Sequence, residues 1–191
     1  MSRAASDILR PQTQSLIWAK QAAIVISASL FVALCAKVTV PLPTCVPLTL
    51  QNFGVLIVGL LLGSRRGFAA LSLYLVEGAI GLPVFNPTGL GGVAQLLGPT
   101  GGYLMAYPFV AFAAGLIYER TSRRFGWAAI AAFAGEVILF IVGLSWLAVL
   151  TRSWSIAFKV GLYWFVFAET IKILMAAAIA SRWYKRLSPR A

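Results

Sequence analysis

Residues 126–149 read GWAAIAAFAGEVILFIVGLSWLAV, a run in which Glu136 is the only charged side chain. A helix that crosses the hydrocarbon layer of a membrane needs about 20 predominantly apolar residues, so this run is long enough to cross. The rest of the chain has the same character: 60% of the 191 residues are hydrophobic, 11% are charged, and the mean hydropathy is +0.88. Soluble domains carry about 25% charged residues. The composition therefore predicts an integral membrane protein.

Working outward from this run, five more apolar runs predict an all-α bundle of six transmembrane helices. The six runs cover about residues 21–37, 46–63, 67–84, 101–118, 126–149 and 158–181. The second run is the weakest, because its first third is polar and contains Pro47, and five crossings is the alternative count. We predict a membrane domain over 21–182, with cytoplasmic tails at 1–20 and 183–191. The first tail lacks the apolar core and cleavage site of a secretory signal.

The charge pattern predicts the orientation of the bundle. The chain has 16 Lys and Arg against 5 Asp and Glu, for a net charge of +11. Its cations cluster at the ends of apolar runs, which is typical of topology signals and not of a nucleic-acid surface. On one side lie Arg3, Arg10, Lys20, Arg65, Arg66, Arg120, Arg123, Arg124, Arg182, Lys185, Arg186 and Arg190, and on the other lie Lys37, Arg152 and Lys159. This bias predicts that both termini are cytoplasmic.

Several kinds of chemistry have no support in the sequence. There is no histidine, so a His-based catalytic triad is impossible and a zinc or haem site is not expected. The phosphate-binding pattern GxxxxGK[ST] does not occur, so the chain cannot bind ATP by that route. Cys35 and Cys45 are predicted to be free thiols. We therefore expect neither an enzyme nor a resident metal or cofactor.

The last apolar run contains an acid and a base, Glu169 and Lys172, within FAETIKILMAAAIA (167–180). Residues three apart share one face of a helix, and a charge at the bilayer centre costs about 2.5–3.5 kcal/mol even on a lenient scale. Both side chains are therefore expected to face the bundle interior. One interpretation is a ligand site that presents a strong acceptor beside a strong donor. The other is an ion pair that only ties helices together.

Two further motifs offer polar groups on the outer side. In GPTGGY (98–103), Thr100 is positioned to cap the fourth span, and Gly101 and Gly102 would leave backbone amides approachable. The alternative is a plain capped turn. In VPLTLQ (46–51), Thr49 and Gln51 could bond a ligand or cap their own span.

Two other spans each contain a lone acid, and the first span contains a set of small residues. Glu77 and Glu136 are lone acids, which are expected to be protonated and hydrogen-bonded to a neighbouring helix or to relay protons. The first span carries small residues that permit close helix approach, either inside the bundle or against another membrane subunit; they are Ala28, Ser29, Ala33 and Ala36.

Four motifs in order, VPLTLQ, GLLLGSRRGFAALSLYL, GLPVFNPTGLGG and LLGPTGGYLMAYPFVA, resemble the BioY family of biotin-binding S components of energy-coupling factor (ECF) transporters. The resemblance covers about residues 25–182 and is most specific over 46–115. It implies a six-helix bundle in the bacterial plasma membrane, with an outward-facing cavity that binds one biotin tightly. It also implies three partner subunits, namely a transmembrane T component and two ATPases that energise uptake.

The resemblance also implies a site. The family has an acid and a lysine three residues apart in its last helix; the acid is more often Asp, whereas this chain has Glu169 beside Lys172. The biotin-binding residues that we expect are Glu169, Lys172, Asn86, Gln95, Thr100, Gly101, Gly102, Tyr103, Thr49 and Gln51, with an aromatic slot from Tyr74, Tyr103, Phe85 and Trp164. Lys172 would bond either the ureido carbonyl or the carboxylate of biotin.

Three other functions stay open at this point. The chain could be an uptake subunit for another vitamin, or a structural or enzyme subunit of the membrane with an internal Glu169–Lys172 pair. It could also be a proton-coupled carrier that acts alone, with Glu77 or Glu136 as the relay.

Overall fold

The structure, a computed structural model, describes residues 3–40 and 42–187. Within these ranges the chain is mostly helical, with eight helices and one two-stranded hairpin. In chain order the elements are α1 (Arg3–Lys37), β1 (Thr39–Val40), β2 (Leu48–Thr49), α2 (Gln51–Leu62), α3 (Ser64–Ala79), α4 (Gly92–Leu97), α5 (Gly101–Glu119), α6 (Phe125–Thr151), α7 (Trp154–Gly161) and α8 (Val166–Leu187). The outermost parts of the two predicted tails, residues 1–2 and 188–191, lie outside the described residues.

Helix α1 continues without a break through the predicted tail and the first apolar run, Arg3–Lys37. The small residues of that run face the inside of the protein. Ser29 and Ala36 are fully buried, and Ala28 and Ala33 are 7% exposed, on a helix that packs against α2 and α3. Internal packing is therefore the role that the structure supports for these small residues, and they are not available as a surface for another subunit.

The second apolar run is only partly helical. Its first residues belong to the hairpin in which Thr39 pairs with Thr49 and Val40 with Leu48, and α2 begins only at Gln51. With 12 residues, α2 is about 18 Å long, which is shorter than the hydrocarbon layer. Gly63 alone separates α2 from α3, and its φ of +82° is a left-handed conformation that favours glycine.

Helix α5 lies at the centre of the packing and contacts α2, α3, α4 and α6. Glycine allows the helices to approach closely here. A Cβ on Gly59 of α2 would lie 2.7 Å from the carbonyl oxygen of Ala111, and a Cβ on Gly115 would lie 2.5 Å from the backbone nitrogen of Ser64. These crossings are tighter than any other residue permits, as is usual where small residues join membrane helices.

The sixth apolar run is not one helix, which corrects the prediction over 158–181. Helices α7 and α8 meet at an angle of 53° across residues 162–165. The amides of Leu162 and Tyr163 both donate to the carbonyl of Phe158, which closes α7. The carbonyl of Gly161 accepts instead from the Tyr103 hydroxyl at 3.0 Å, so a tertiary contact takes the place of the next helical hydrogen bond.

The helices expose apolar side chains, as expected for contact with lipid. Phe133 and Ile141 on α6 are 60% and 62% exposed, and Phe167 on α8 is 79% exposed. Among the described residues, three helices (α1, α5 and α6) are long and apolar enough to cross a membrane, or four if α7 and α8 count as one broken span. The protein is therefore a helical membrane protein.

Candidate functional site

The predicted acid–base pair forms a buried ion pair on α8. Lys172 Nζ lies 2.7 Å from Glu169 Oε1, and the two side chains are 9% and 7% exposed. The helical spacing of three residues brings the two groups together without help from the rest of the fold. The pairing predicted from the sequence is confirmed, and it provides a strong acceptor and a strong donor inside the protein.

Lys172 also connects α8 to the hairpin. Its ammonium group donates to the backbone carbonyl of Thr49 at 2.6 Å. Thr49 is the last residue of β2 and pairs with Thr39 across the hairpin. The lysine therefore anchors β2 of the hairpin to the helix that carries the acid.

An amide on α2 links Glu169 to a second acid. Asn52 Nδ2 donates to Glu169 Oε2 at 2.8 Å and also to Glu136 Oε1 on α6. Asn52 and Glu136 are 4% and 3% exposed. Two atoms of this cluster, Asn52 Oδ1 and Glu136 Oε2, are buried and have no hydrogen-bond partner among the described residues. The core thus holds two carboxyl groups, one ammonium group and one amide, joined in a single network.

A cavity of about 50 Å³ lies beside this network, and we call it the inner cavity. Glu169 and Asn52 form part of its wall, together with Tyr107 and Phe165. Lys172 is not a lining residue, because it sits behind Glu169 and bonds to Thr49. The full lining is Val46, Pro47, Thr49, Gln51, Asn52, Asn86, Thr100, Tyr103, Leu104, Tyr107, Leu139, Phe140, Phe165 and Glu169.

A wider cavity of about 350 Å³, the vestibule, adjoins the inner cavity. The two share Pro47, Asn86 and Thr100 as lining residues. The vestibule lies between the loop after α1 and the loop around α4, so these two loops form its walls. Gln95 of α4 is 2% exposed in the vestibule wall, and its Nε2 has no partner among the described residues.

The structure brings most of the predicted site residues to these two cavities. Those at the inner cavity are Thr49, Gln51, Asn86, Thr100, Tyr103 and Glu169, and Gln95 lies at the vestibule. Gln51 also donates from its side chain to the Tyr74 hydroxyl at 2.8 Å. Tyr74 in turn donates to the carbonyl of Val84 and packs edge-on against Phe85. Tyr74 and Phe85 therefore support the wall from behind and do not line the inner cavity.

Gly101 and Gly102 do not line either cavity. A Cβ on Gly101 would lie 1.8 Å from the carbonyl oxygen of Leu96, and one on Gly102 would lie 2.3 Å from Cβ of Trp146. Both glycines allow close packing at the start of α5. Thr100 is the N-cap residue of α5, as predicted, but its side chain makes no capping hydrogen bond. Trp164, the remaining predicted aromatic residue, is 46% exposed and stacks edge-on with Tyr163 away from the cavities.

Sequence reasoning missed Asn52 and Tyr107 as site residues and did not connect Glu136 to the site. Tyr107 is buried on α5 and lines the inner cavity. Glu136 gave a signal, because a lone acid in an apolar span is costly. Its hydrogen bond to another helix agrees with one of the two alternatives for this residue. Glu77 behaves in the same way, since it accepts from the hydroxyl of Ser29 on α1.

Cys35 is buried and Cys45 is exposed, and neither forms a disulfide. In the described ranges, no group of three His, Cys, Asp or Glu side chains is arranged to hold a metal ion.

Comparisons with known proteins point to one family. The sequence profile of the BioY family matches residues 5–189. A protein of Pyrococcus horikoshii described as a probable biotin transporter BioY is 38% identical over 157 residues, which are 81% of this chain and 91% of that protein. The biotin transporter BioY of Thermotoga maritima is 38% identical over 160 residues, which are 82% of this chain and 93% of that protein.

A solved structure has the same fold. The S-component for biotin from an ECF-type ABC transporter superposes with a TM-score of 0.79 and 28% identity, over 87% of this chain and 92% of that chain. These relatives are transport proteins and not enzymes. The chain belongs to the BioY family.

Proposed function

We propose that this protein is the high-affinity biotin-binding S component of a vitamin uptake system. The single observation that carries the proposal is that Glu169, paired with Lys172, lies in the wall of the inner cavity, in a chain that belongs to a family of biotin transporters. A buried pair next to an open space offers hydrogen bonds to a ligand that an ion pair inside a closed core does not offer.

Biotin has the chemistry that this wall would recognise. Its cyclic urea carries adjacent N–H and C=O groups, its sulfur ring is apolar, and its tail ends in a carboxylate. Glu169 Oε2 accepts one hydrogen bond, from Asn52 Nδ2, and a ureido N–H group of biotin would supply a second donor to this carboxylate. Phe165 and Leu139 would contact the sulfur ring, and the tail would extend through the vestibule past Asn86 and Thr100.

The volumes imply that the site opens to load. Ligand pockets usually enclose about 300–1,000 Å³, so the inner cavity of about 50 Å³ is too small for the bicyclic head of biotin. The vestibule has room for a ligand. We therefore propose that residues 42–47 move outward to admit biotin and close behind it. In the loaded protein, Lys172 would either keep its bond to Thr49 or turn to the ureido carbonyl.

The same proposal includes topology and partners. We propose six crossings within 21–182, with both termini in the cytoplasm of a bacterial cell and the vestibule facing outward. The 12-to-3 distribution of cations supports this orientation. A transmembrane T component and two ATPases would supply the energy, since the chain has no GxxxxGK[ST] motif of its own.

Calorimetric titration of biotin into the purified protein in detergent tests the ligand. We expect one biotin per chain, and we expect Glu169→Gln to weaken binding about 10–100-fold, because a hydrogen bond to a charged acceptor contributes about 1.5–3 kcal/mol. Glu77→Gln is the matched control. It makes the same chemical change in another helix, α3. Glu77 accepts a hydrogen bond from Ser29 and lines neither cavity.

Each result has a clear meaning. Biotin binding that Glu169→Gln weakens and Glu77→Gln does not would support a biotin site on α8. Folded wild-type protein that is free of carried-over biotin and gives no heat with biotin would contradict the proposal. A vitamin that competes more tightly than biotin would identify an S component for that vitamin, and no ligand at all would leave the ion pair as a structural element.

A further inference from the structure

Glu136 is the part of the buried network that the proposed ligand contacts do not use. It lies on α6, is 3% exposed, and does not line the inner cavity. Its Oε1 accepts from Asn52, while its Oε2 has no partner among the described residues. A buried carboxylate oxygen without a donor is costly, so its chemical state needs an explanation.

The charges around Glu136 do not balance if both acids are ionised. The titratable groups that surround it are Glu169 and Lys172 on α8 and Tyr107 on α5. Asn52 Nδ2 bonds to both carboxyl groups, so the bonded oxygens lie within about 6 Å of each other, twice the length of a hydrogen bond. Two negative charges would then share one ammonium group, which is already bonded to Glu169.

The other side of Glu136 is predominantly apolar. Glu136 also lines an apolar groove of about 830 Å³ between α6, α7 and α8, to which α7 contributes Trp154 and Phe158. In a bilayer this groove faces lipid chains, which cannot solvate a charge. A second carboxylate at this position would be stabilised neither by a cation nor by solvent.

A single proton on Glu136 would give its unpaired oxygen a hydrogen-bonding role and would remove the second negative charge from the cluster. A proton on Glu136 Oε2 turns an acceptor without a partner into a donor, and Asn52 Oδ1 is an acceptor without a partner on the side chain that already bonds Glu136. The carboxylic acid and the amide would then form a ring of two hydrogen bonds. We propose that Glu136 is a positioning residue that stays protonated, holds Asn52 as an acid–amide pair, and so leaves Glu169 as the one charged acceptor of the cluster.

The acid–amide pair of Glu136 and Asn52 would affect the ligand site in two ways: it would orient Asn52, and it would keep the net charge of the cluster at zero. Asn52 reaches Glu169 with its remaining amide hydrogen, and its orientation is set by the bond to Glu136. A neutral Glu136 leaves the cluster without net charge, since Glu169 and Lys172 cancel. An anionic ligand can then approach without repulsion from a second carboxylate. This consequence for binding rests on the proposed function, whereas the proton itself does not.

Infrared spectroscopy of the ligand-free protein at neutral pH tests the proton directly. A protonated carboxyl group has a C=O stretching band that is separate from the bands of carboxylates. We expect a component of this band in the wild type that is absent from Glu136→Gln and is retained in Glu77→Gln and Glu169→Gln; a component from protonated Glu77 would be lost only in Glu77→Gln. A wild-type band from which Glu136→Gln removes no component, or loss of the Glu136 component in Glu169→Gln, would overturn the proposal.

Biotin titration tests the positioning role with two variants. Glu136→Gln keeps a neutral group that can donate and accept, so binding should stay within about threefold of wild type, a smaller effect than the loss of one hydrogen bond. Glu136→Leu removes both bonds, and binding should weaken about tenfold. Thermal unfolding checks that both variants are folded. Equal biotin affinity of folded Glu136→Gln and Glu136→Leu would contradict the positioning role of the acid–amide pair. If biotin does not bind the wild type, the proposed function fails, and the infrared band alone decides whether Glu136 is protonated.

Discussion

The ion pair on α8 makes a prediction that can be worked out from the structure. Changing Lys172 to Met leaves Glu169 buried without its cation and removes the bond from Nζ to the carbonyl of Thr49. Breaking a buried pair by removing one partner costs about 3–5 kcal/mol, so Lys172→Met should lower the free energy of unfolding by about that amount. Glu169→Gln leaves Lys172 its bond to Thr49 and a neutral acceptor, so its cost should be smaller, about 1–3 kcal/mol.

The double variant isolates the interaction. With Gln at 169 and Met at 172, no buried charge is unpaired, so the double variant should be no less stable than Lys172→Met alone. The coupling energy should reach about 1–3 kcal/mol, as is usual for residues in one network. Unfolding is followed by circular dichroism in mixed micelles, with Lys159→Met on exposed α7 as the control, expected to change stability by less than about 0.5 kcal/mol. Additive single effects would refute the buried pair.

The same samples separate a structural pair from a ligand site. Biotin at about 1,000 times its dissociation constant should stabilise the wild type by about 4 kcal/mol. If the pair only ties α8 to the hairpin, biotin should not change the stability of the wild type or of any variant. If the pair forms the site, the stabilisation should be largely lost in Glu169→Gln and kept in Lys159→Met.

Two further predictions concern access and packing. A membrane-impermeant maleimide applied to intact cells should label Cys45 at the vestibule and not buried Cys35, and biotin should slow the labelling; labelling only after lysis would contradict the outward orientation. Gly59→Ala should lower the free energy of unfolding by about 1–3 kcal/mol, because the new Cβ would lie 2.7 Å from the carbonyl oxygen of Ala111. Gly126→Ala is the control: no atom lies within 4 Å of its Cβ, so it should have little effect. Thermal unfolding of both variants measures the difference.

Features that depend on local sequence were predicted well. The runs over 101–118 and 126–149 match α5 and α6 to within two residues at each end, because each run is predominantly apolar and polar residues lie close to both of its ends. The Glu169–Lys172 pair was predictable for the same reason, since three positions along a helix set the distance between the side chains.

Features that depend on tertiary packing were not predicted. The break between α7 and α8 falls within an apolar stretch, where the Tyr103 hydroxyl, 58 positions earlier in the chain, donates to the carbonyl of Gly161. The bonds from Asn52 to Glu136 and Glu169 span 84 and 117 positions. Nothing in the spacing of these residues indicates that α2, α6 and α8 bring them together.

The start of α2 at Gln51 was only partly predictable from the sequence. The proline and threonine residues before Gln51 indicated irregular structure, but the pairing of Leu48 with Val40 depends on the end of α1. The hairpin in turn places the carbonyl of Thr49 next to Lys172. Thr49 therefore belongs to the site through its backbone, a role that its residue type could not indicate.

The most direct test of the account is an experimental structure of the protein with biotin bound in a lipid nanodisc. We predict density for the bicyclic head within hydrogen-bonding distance of Glu169, with the tail passing Asn86 and Thr100 toward the vestibule. Residues 42–47 should be displaced from the positions that leave an inner cavity of only about 50 Å³. Biotin bound in the groove between α6, α7 and α8, or in the vestibule without contact to Glu169, would contradict the proposal that the buried pair on α8 builds the site.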